Sequence, residues 1–440
     1  MDLLHDDTAA SMIDRISNLP NEIIYHILSF LDIKYAIQTS ALSKKWKHIW
    51  TSMPHLNLNS RTFRSAPLFV KFVNDALSHR NRHTEVSAVE LSVRGAATQF
   101  AAVVTSIVNY AYSHNVRKLT IEWFRLNDEG FRFPQRLFGS HTLKHLVLAT
   151  HYFDGLGLSL PKSAWEFPAL QTLNLSNLHL NDDGDMSLNL FSKCVNLEDL
   201  TLHNCYMQGL DSFNVCAPKL RNLTITDPRK FPKVFNVVAP QLQNLTALLC
   251  DNLFGFLQLS TEELDSLEKV NLSMGGRLLR EKESYASGLL DLFQKLCHAK
   301  FLILDDGIIK VYKYRLSYDN IDSLCEFVCI LCAKVLSACL DLLSVEPCPF
   351  NNLKFLKQKD CIQKMPTEVR KYLLESSPNA TFILDIPQAN HNIPIYVKYT
   401  VHIDPLEKYL SKRKRKMVPQ KRSREEVDKG TMAKKYGKID

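Results

Sequence analysis

The side chains of this 440-residue chain that could do chemistry are first of all its thiols and its acidic clusters. Cys329 and Cys332 have the Cys-x-x-Cys spacing of metal and redox sites. No second Cys/His pair follows at zinc-site spacing, and cysteine is also a favoured small core residue. We therefore predict a core helix within residues 321–343 and no metal site. The sequence Asp182-Asp-Gly-Asp185 lacks the spacing and the terminal glutamate of a calcium loop.

Motifs of enzymes are missing from the sequence. It contains no Gly-x-Ser-x-Gly elbow, no His-Glu-x-x-His, no phosphate loop and no dinucleotide fingerprint. Its 14 glycines are few for a glycine-rich nucleotide site, and none of its 15 histidines falls into a catalytic or metal-binding pattern. We expect a protein that is not an enzyme, with no catalytic residue and no cofactor.

The charge of the chain is concentrated at one end. The net charge is +8, yet residues 408–440 hold 13 Lys/Arg against 4 Asp/Glu, so the other residues sum to −1. A hydrophobic fraction of 45% and a charged fraction of 23% are those of an ordinary folded protein. The basic character therefore belongs to a tail, which we predict to be disordered over residues 405–440.

The basic tail allows three interpretations: a bipartite-like nuclear import signal, an arm that binds nucleic acid phosphates, or a solvated tail. We prefer the import signal and expect a nuclear protein, possibly also cytoplasmic, with nucleic acid binding as the less favoured alternative. The residues of the predicted signal are Lys412, Arg413, Lys414, Arg415, Lys416, Lys421, Arg422 and Arg424.

Compartment and membrane association are constrained by three features. Eleven cysteines, an odd number, lie mostly in apolar periodic segments, which favours a reducing compartment. Residues 1–7 carry three aspartates, unlike a signal peptide. Lys334 and Asp341 interrupt the most apolar stretch, residues 327–343, so we expect no membrane span.

Three short amphipathic helices are predicted within the first sixty residues. Pro20 suits a helix start, and Ile24, Ile27, Leu28 and Leu31 follow at helical spacing. A second helix begins after Asp32 and a third after Ser43, both of which can cap a helix. So small a unit buries little surface by itself, and its isoleucines and tryptophans therefore suggest a face for a partner.

Two other interpretations of this region are a helical core without a partner and a helix-turn-helix whose lysine-bearing helix reads DNA. Trp46 and Trp50 occupy that helix where polar, base-reading residues would be needed, which argues against the second.

The region resembles the F-box. Its Leu19-Pro20 opening, its Ile27-Leu28-Ser-Phe30-Leu31 helix and its Leu42-Ser43-Lys-Lys-Trp46 helix match that family. The resemblance implies docking on a Skp-type adaptor and, through it, on a cullin. By motif matching, the adaptor-binding residues are Leu19, Pro20, Ile24, Ile27, Leu28, Leu31, Leu42, Ser43, Trp46 and Trp50.

A leucine pattern recurs along the middle of the chain. Leu-x-x-Leu-x-Leu units start at Val116, Leu143, Leu170, Leu197, Leu220, Leu242 and Leu267, at intervals of 22–27 residues. Weaker units surround Val86, Leu302 and Leu353. This pattern is that of leucine-rich repeats, in which each unit places a short strand on the concave side and a turn or helix behind it. The fold class is α/β, with the three-helix F-box followed by an irregular, right-handed solenoid of parallel strands.

Alternation along each strand predicts which side chains face outward from the concave side, a surface that we call the wall. The predicted wall residues are candidates for substrate binding: Lys118, Thr120, Glu122, His145, Val147, Thr172, Asn174, Asp199, Thr201, His203, Asn222 and Thr224.

The predicted wall is rich in hydroxyls and amides and contains no arginine, so it suits an extended protein partner better than a phosphate. The alternatives are that the wall is only solvated, or that aromatic insertions within residues 123–138 and 152–165 bind the substrate.

Residues 348–382 partly resemble the FBD module found at the C-terminal end of plant F-box proteins with leucine-rich repeats. The predicted organisation is a flexible segment at 1–13, the F-box at 14–60, the solenoid at 80–365, an FBD-like cap at 346–390 and the basic tail at 405–440. The resemblance implies the substrate receptor of a Skp-cullin-F-box ubiquitin ligase. The alternative is a nuclear repeat scaffold whose tail binds nucleic acid.

Overall fold

A computed structural model describes residues 18–127, 130–154, 158–161, 165–180, 187–207, 209–226, 232–250, 257–259, 264–275, 282–305, 343, 347–359 and 365–384. The predictions for the N-terminal segment 1–13, for the helix containing Cys329 and Cys332, and for the basic tail lie outside these residues.

Three short helices open the described chain: α1 (Asn21–Ser29), α2 (Ile33–Gln38) and α3 (Trp46–Ile49). Pro20 is the residue before α1, where its missing N–H removes no helical hydrogen bond. The Asp32 carboxylate accepts from the backbone N–H of Lys34 and caps α2. The predicted three-helix unit is therefore present.

Longer helices follow in the body of the protein: α4 (Ala66–Ser78), α5 (Ala97–Ser113), α6 (Lys282–Lys295) and α7 (Thr367–Leu374). In α5, Phe100, Val104, Ile107 and Val108 are buried at spacings of three and four residues, which places one helical face on the core.

The described strands form three parallel sheets. Twelve strands pair in the long sheet, in this order: β1 (His55–Asn59), β2 (Ala88–Arg94), β3 (Lys118–Asn127), β5 (His145–Asp154), β7 (Thr172–Ser176), β10 (Asp199–His203), β12 (Asn222–Thr226), β14 (Asn244–Cys250), β16 (Lys269–Gly275), β17 (Phe301–Asp305), β18 (Phe355–Lys359) and β19 (Thr381–Leu384). The four-stranded sheet contains β9 (Ser187–Leu188), β11 (Ser212–Cys216), β13 (Val234–Val238) and β15 (Leu257–Leu259), and the three-stranded sheet contains β4 (Phe131–Arg132), β6 (Leu158–Ser159) and β8 (Leu178–His179).

The long sheet confirms the repeat prediction. Each of the seven clear leucine units forms one of its strands, and successive units pair in parallel without a register shift. On β7, Leu173 and Leu175 are buried, whereas Thr172 and Asn174, which alternate with them, are half-exposed. Burying a leucine side chain contributes about 1.5–3 kcal/mol, so the repeated leucines are the main source of stability.

The long sheet reaches beyond the predicted solenoid at both ends. It begins at β1, inside the range predicted for the F-box, includes β18, where the predicted solenoid and the FBD-like cap overlap, and ends at β19, inside the predicted cap alone. In its described strands, the cap region thus adds strands to the solenoid sheet.

Aromatic side chains form a continuous part of the core between the middle repeats. Trp165 packs edge-on against Phe191, Phe191 against Phe213, and Phe213 lies 5.1 Å from Phe235 between ring centres. All four are fully buried. Phe213 and Phe235 come from the four-stranded sheet, which the leucine pattern alone does not predict.

Candidate functional site

Helix α1 carries two apolar stripes on different sides. Ile24 and Leu28 are buried and pack with Ala36, Trp46 and Ile49 in a small core of the F-box. Ile23, Ile27 and Phe30 are also spaced four and three residues apart, but they lie on another side of the helix and are exposed. Phe30 is 74% exposed. One stripe therefore holds the helices together, while the other offers apolar surface to solvent.

Two further large apolar side chains of the three-helix unit are exposed. Leu42, which follows α2, is 68% exposed, and Tyr35 on α2 is also exposed. Together with Ile23, Ile27 and Phe30 they are the residues that we call the outer face of the F-box. Exposed apolar residues are ordinary when scattered singly, whereas five in so short a segment are typical of an interaction surface.

The predicted adaptor-binding residues divide into three groups by exposure. Ile24, Leu28 and Trp46 are buried, so their side chains support the unit from inside. Leu19, Leu31, Ser43 and Trp50 are half-buried, and Pro20, Ile27 and Leu42 are exposed. Ile23, Phe30 and Tyr35 are also exposed but are not among the predicted residues, since a helix that is apolar on two sides gives no periodic signal for which side faces outward.

The Leu-Pro opening is tied to the start of the third helix. The Lys45 ammonium donates to the carbonyl oxygen of Leu19 at 2.7 Å. The backbone N–H of Trp46 donates to the Ser43 hydroxyl at 3.4 Å, which supports the predicted capping role of Ser43. These bonds hold the two ends of the F-box motif side by side.

A buried arginine joins the F-box to the repeats. Arg80 follows α4, and its guanidinium donates to the carbonyl oxygens of Trp50 and Met53 and to the Tyr110 hydroxyl. Burial lowers the pKa of Arg80, and its contact with Tyr110 opposes that effect. Because Tyr110 lies on α5, this side chain connects the end of the F-box to the helices behind the sheet.

Asp32 makes a second connection. Its carboxylate accepts from the backbone N–H of Lys34 at 2.7 Å and from that of Asn59, at the end of β1, at 2.9 Å. Burial raises the pKa of Asp32, and the two hydrogen bonds oppose that rise. The Lys34 ammonium in turn donates to the carbonyl of Thr62 and lies 4.6 Å from the centre of the Phe63 ring.

The structure brings the predicted wall residues together on one face of the long sheet. Strand pairing aligns Lys118, His145, Thr172, Asp199 and Asn222 in one row across the strands. Val147, Asn174, Thr201 and Thr224 align with Thr120 in a second row. Glu122 and His203 belong to a third row.

Side chains within these rows are hydrogen-bonded to one another. Asn244 donates to the side-chain oxygen of Asn222 at 2.6 Å, and Asn222 donates to Asp199. The Nδ1 atom of His203 and the hydroxyl of Thr226 lie 2.7 Å apart. Such lateral bonds fix the side chains in place, so the middle of the wall presents an ordered polar surface.

Five aromatic side chains of the two insertions do not offer the binding surface that was one of the alternatives from the sequence. Trp123, Phe131, Phe133, Phe138 and Trp165 are buried, and the indole N–H groups of the two tryptophans donate to the carbonyls of Gly95 and Pro161. This expectation is wrong for these five side chains, because they fill the core behind the sheet.

Reactive groups are few in the described chain. Burial raises the pKa of the Cys194 and Cys205 thiols to about 12, so both remain protonated at neutral pH. No group of three or more His, Cys, Asp and Glu residues is arranged to hold a metal ion within the described ranges. None of the helices in that part of the chain combines the length and the apolar character needed to cross a membrane.

Comparison with known families agrees with both parts of the structure. Residues 16–57 match the F-box domain, and residues 104–255 match the leucine-rich repeats of the family described as FBD-associated F-box protein At5g56370. The first match covers the three helices and the first part of β1, and the second runs from within α5 through the strands of the long sheet from β3 to β14.

Similar proteins come from Arabidopsis thaliana. F-box/FBD/LRR-repeat protein At5g56420 is 30% identical over 213 residues, 48% of this chain and 49% of the relative. F-box/FBD/LRR-repeat protein At2g04230 is 27% identical over 224 residues, 49% of this chain and 48% of the relative. The chain thus spans about half the length of the curated relatives it matches. It thus contains a segment similar to the F-box domain and a segment similar to the leucine-rich repeats of FBD-associated F-box proteins.

Proposed function

We propose that this protein is the substrate-recognition subunit of a Skp-cullin-F-box ubiquitin ligase. In this proposal the F-box docks on a Skp-type adaptor, the adaptor connects it to a cullin, and the wall binds a protein substrate. The observation that carries the proposal is the outer face of the F-box, which exposes five large apolar side chains within a matched F-box domain.

The outer face has the composition of an interface centre. Stable interfaces bury roughly 800 Å² on each partner, and a few aromatic or large aliphatic anchors supply most of the binding free energy. In the free chain, Phe30 is 74% exposed and Leu42 is 68% exposed. If an adaptor covered these two side chains, each Å² of apolar surface removed from water would contribute about 25 cal/mol to the binding free energy.

The catalytic contribution of such a subunit is proximity. Holding a substrate beside a ligase-bound ubiquitin donor raises the effective concentration of its lysines and requires no catalytic residue in the receptor. The connections made by Arg80 and Asp32 support this role, since they fix the F-box to the start of the repeat sheet.

The experiment is co-purification of the full chain with a recombinant plant Skp-type adaptor. We expect the intact chain to retain the adaptor, and the Leu19→Ala/Pro20→Ala and Ile27→Asp/Leu42→Asp double variants to lose it. The matched control is Leu68→Asp, which places a charge on a 54% exposed leucine of α4, outside the F-box.

Retention of the adaptor by both double variants, or failure of the intact chain to bind it, would contradict the proposal. Circular dichroism of each variant separates lost binding from lost folding, because the substituted side chains of the Ile27→Asp/Leu42→Asp pair are exposed.

We further propose a nuclear location, supported only by the basic sequence clusters between Lys412 and Arg424. A fluorescent fusion of the full chain should accumulate in the nucleus, and deletion of residues 408–440 should leave it in the cytoplasm. Unchanged location after the deletion would reject the import signal. Nucleic acid binding by the same clusters would appear as strongly salt-dependent retention on DNA or RNA that the deletion abolishes.

A further inference from the structure

The wall changes its chemistry at the C-terminal end of the long sheet. From β7 to β14 its outward residues are mainly threonine, asparagine, serine and histidine, and Asp199 is the charged one. On β17 to β19 the outward positions instead include Phe301, Ile303, Phe355 and Ile383 together with lysines, and β16 beside them contributes Lys269 and Asn271. We call the outward residues of β16 to β19, with the residue before each strand, the C-terminal wall.

Four large apolar side chains lie at neighbouring register positions of the C-terminal wall. Phe301 pairs with Phe355 on the adjacent strand, and their rings stack in parallel with centres 5.0 Å apart. Ile303 and Ile383 occupy the next outward positions of β17 and β19, on either side of Lys357. Phe301 is 37% and Ile383 39% exposed.

Stability of the sheet alone explains part of this arrangement. Aromatic pairs across neighbouring strands stabilise a sheet, and the Phe301–Phe355 pair makes such a contact. The core side of these strands is already covered by Leu302, Leu304 and Leu356, which are buried. The apolar residues on the opposite side therefore add exposed apolar surface that the core does not use.

The charges around this apolar surface are mainly positive. The C-terminal wall holds Lys269, Lys300, Lys354, Lys357 and Lys359 against Glu268 and Asp305, which leaves a net charge of +3. Lys300 hydrogen-bonds Glu268 at 2.9 Å, and this contact, reinforced by Lys354, lowers the pKa of Glu268. An acidic partner would find opposite charge on both sides of the stacked rings.

We propose that the C-terminal wall binds an extended, acidic protein segment that carries aromatic or large aliphatic residues. The segment lays its apolar side chains over Phe301, Phe355 and Ile383, and its carboxylates pair with the lysines. Neighbouring strands are about 4.8 Å apart, so roughly five extended residues span the four strands. The inference rests on the proposed function, because it names the class of substrate that the receptor would take.

The test uses the full chain bound to its adaptor and fluorescent synthetic peptides about twelve residues long. One peptide has a Phe-x-Leu centre flanked by aspartate and glutamate. A second replaces the acids with lysines, and a third replaces the apolar centre with serines. We expect the first peptide to bind at least about tenfold more tightly than either of the others, a difference that fluorescence anisotropy resolves.

Variants of the chain assign the binding to the C-terminal wall. Phe301→Ser/Ile383→Ser and Lys357→Glu/Lys359→Glu should each weaken binding of the acidic peptide about tenfold or more. The Lys357→Glu/Lys359→Glu variant replaces no apolar side chain, so a loss of binding in this variant is not explained by lost apolar packing. The control is Lys71→Glu, a charge reversal on an exposed lysine of α4 outside the wall, which should stay within about twofold of the unchanged chain.

Equal binding of the three peptides, or acidic binding that survives both C-terminal variants, would overturn the inference. So would binding that appears only after deletion of residues 306–346, or self-association of the chain that Phe301→Ser abolishes, because the occupant would then be the chain itself. Adaptor retention is measured on the same samples. Loss of peptide binding with the adaptor retained contradicts this inference alone, whereas failure to bind the adaptor contradicts the proposed function.

Discussion

The outer face of the F-box and the middle of the wall expose opposite chemistry on one chain. The first shows the aliphatic and aromatic side chains of Ile23, Ile27, Phe30 and Leu42 together with the ring of Tyr35. The second shows amides and hydroxyls that already bond to one another, as Asn244, Asn222 and Asp199 do. An apolar face gains free energy from being covered, whereas a polar wall must exchange existing hydrogen bonds for new ones. We therefore expect the F-box to determine affinity for a constant partner and the wall to determine selectivity.

The largest expected effect tests the division of the F-box into inner and outer residues. Trp46→Ala removes a buried side chain and should destabilise the three-helix unit by about 3–5 kcal/mol. Leu42→Ala removes an exposed one and should change stability by less than about 0.5 kcal/mol. Hydrogen exchange over residues 21–49 of the full chain measures the stability of the three-helix unit in each variant. Equal destabilisation would refute the division.

The next effect concerns the connection between the two regions. Arg80→Met keeps most of the side-chain volume and removes three hydrogen bonds, so we expect a loss of about 1–3 kcal/mol. Thermal unfolding should shift downward, and proteolysis should become faster between residues 50 and 65. Arg82→Met is the matched control on an exposed neighbour. If both variants behave alike, Arg80 does not hold the F-box to the repeats.

A smaller effect is expected within the wall. Asn222→Ala breaks the bonds to Asp199 and Asn244 and should cost about 1 kcal/mol, with no change in adaptor binding. Chemical denaturation measures the first quantity, and co-purification measures the second. Reduced adaptor binding by this variant would show that the two regions are not independent.

The smallest expected effect concerns the reactivity of two buried cysteine thiols, Cys194 and Cys205. Because burial raises the pKa of Cys194 and Cys205 to about 12, their reactive thiolates form only when the pH approaches that value, well above the usual range of a thiol. Native protein at pH 8 should leave both unmodified by iodoacetamide, while the partly exposed Cys216 and Cys297 react. Peptide mass spectrometry identifies the labelled residues. Rapid labelling of Cys205 would mean that the repeat core opens locally.

The sequence predicts the long sheet well because one side of each repeat strand must be apolar. Leu173 and Leu175 are buried on either side of Asn174, and alternation alone gives that result. It does not predict the four-stranded sheet, since the buried pair Phe213 and Val215 is too short a pattern to distinguish from a turn.

The site on the F-box is only partly predictable from sequence. Ile23, Ile27 and Phe30 have the same spacing as Ile24, Leu28 and Leu31, so periodicity identifies a helix that is apolar on two sides without telling which side is buried. Packing against Trp46 and Ala36 decides it. Likewise, the outward position of Phe301 follows from register, but its stacking on Phe355 requires the strand pairing across the intervening residues.

The most direct test of adaptor docking on the outer face of the F-box is a calorimetric titration of the full chain with a Skp-type adaptor. We expect tight binding with a negative heat-capacity change, because the outer face of the F-box loses exposed apolar surface. Phe30→Ala/Leu42→Ala should weaken the affinity at least about hundredfold, while Leu68→Ala leaves it within about twofold. An affinity of the double variant equal to that of the unchanged chain would contradict the claim that the outer face is the docking surface.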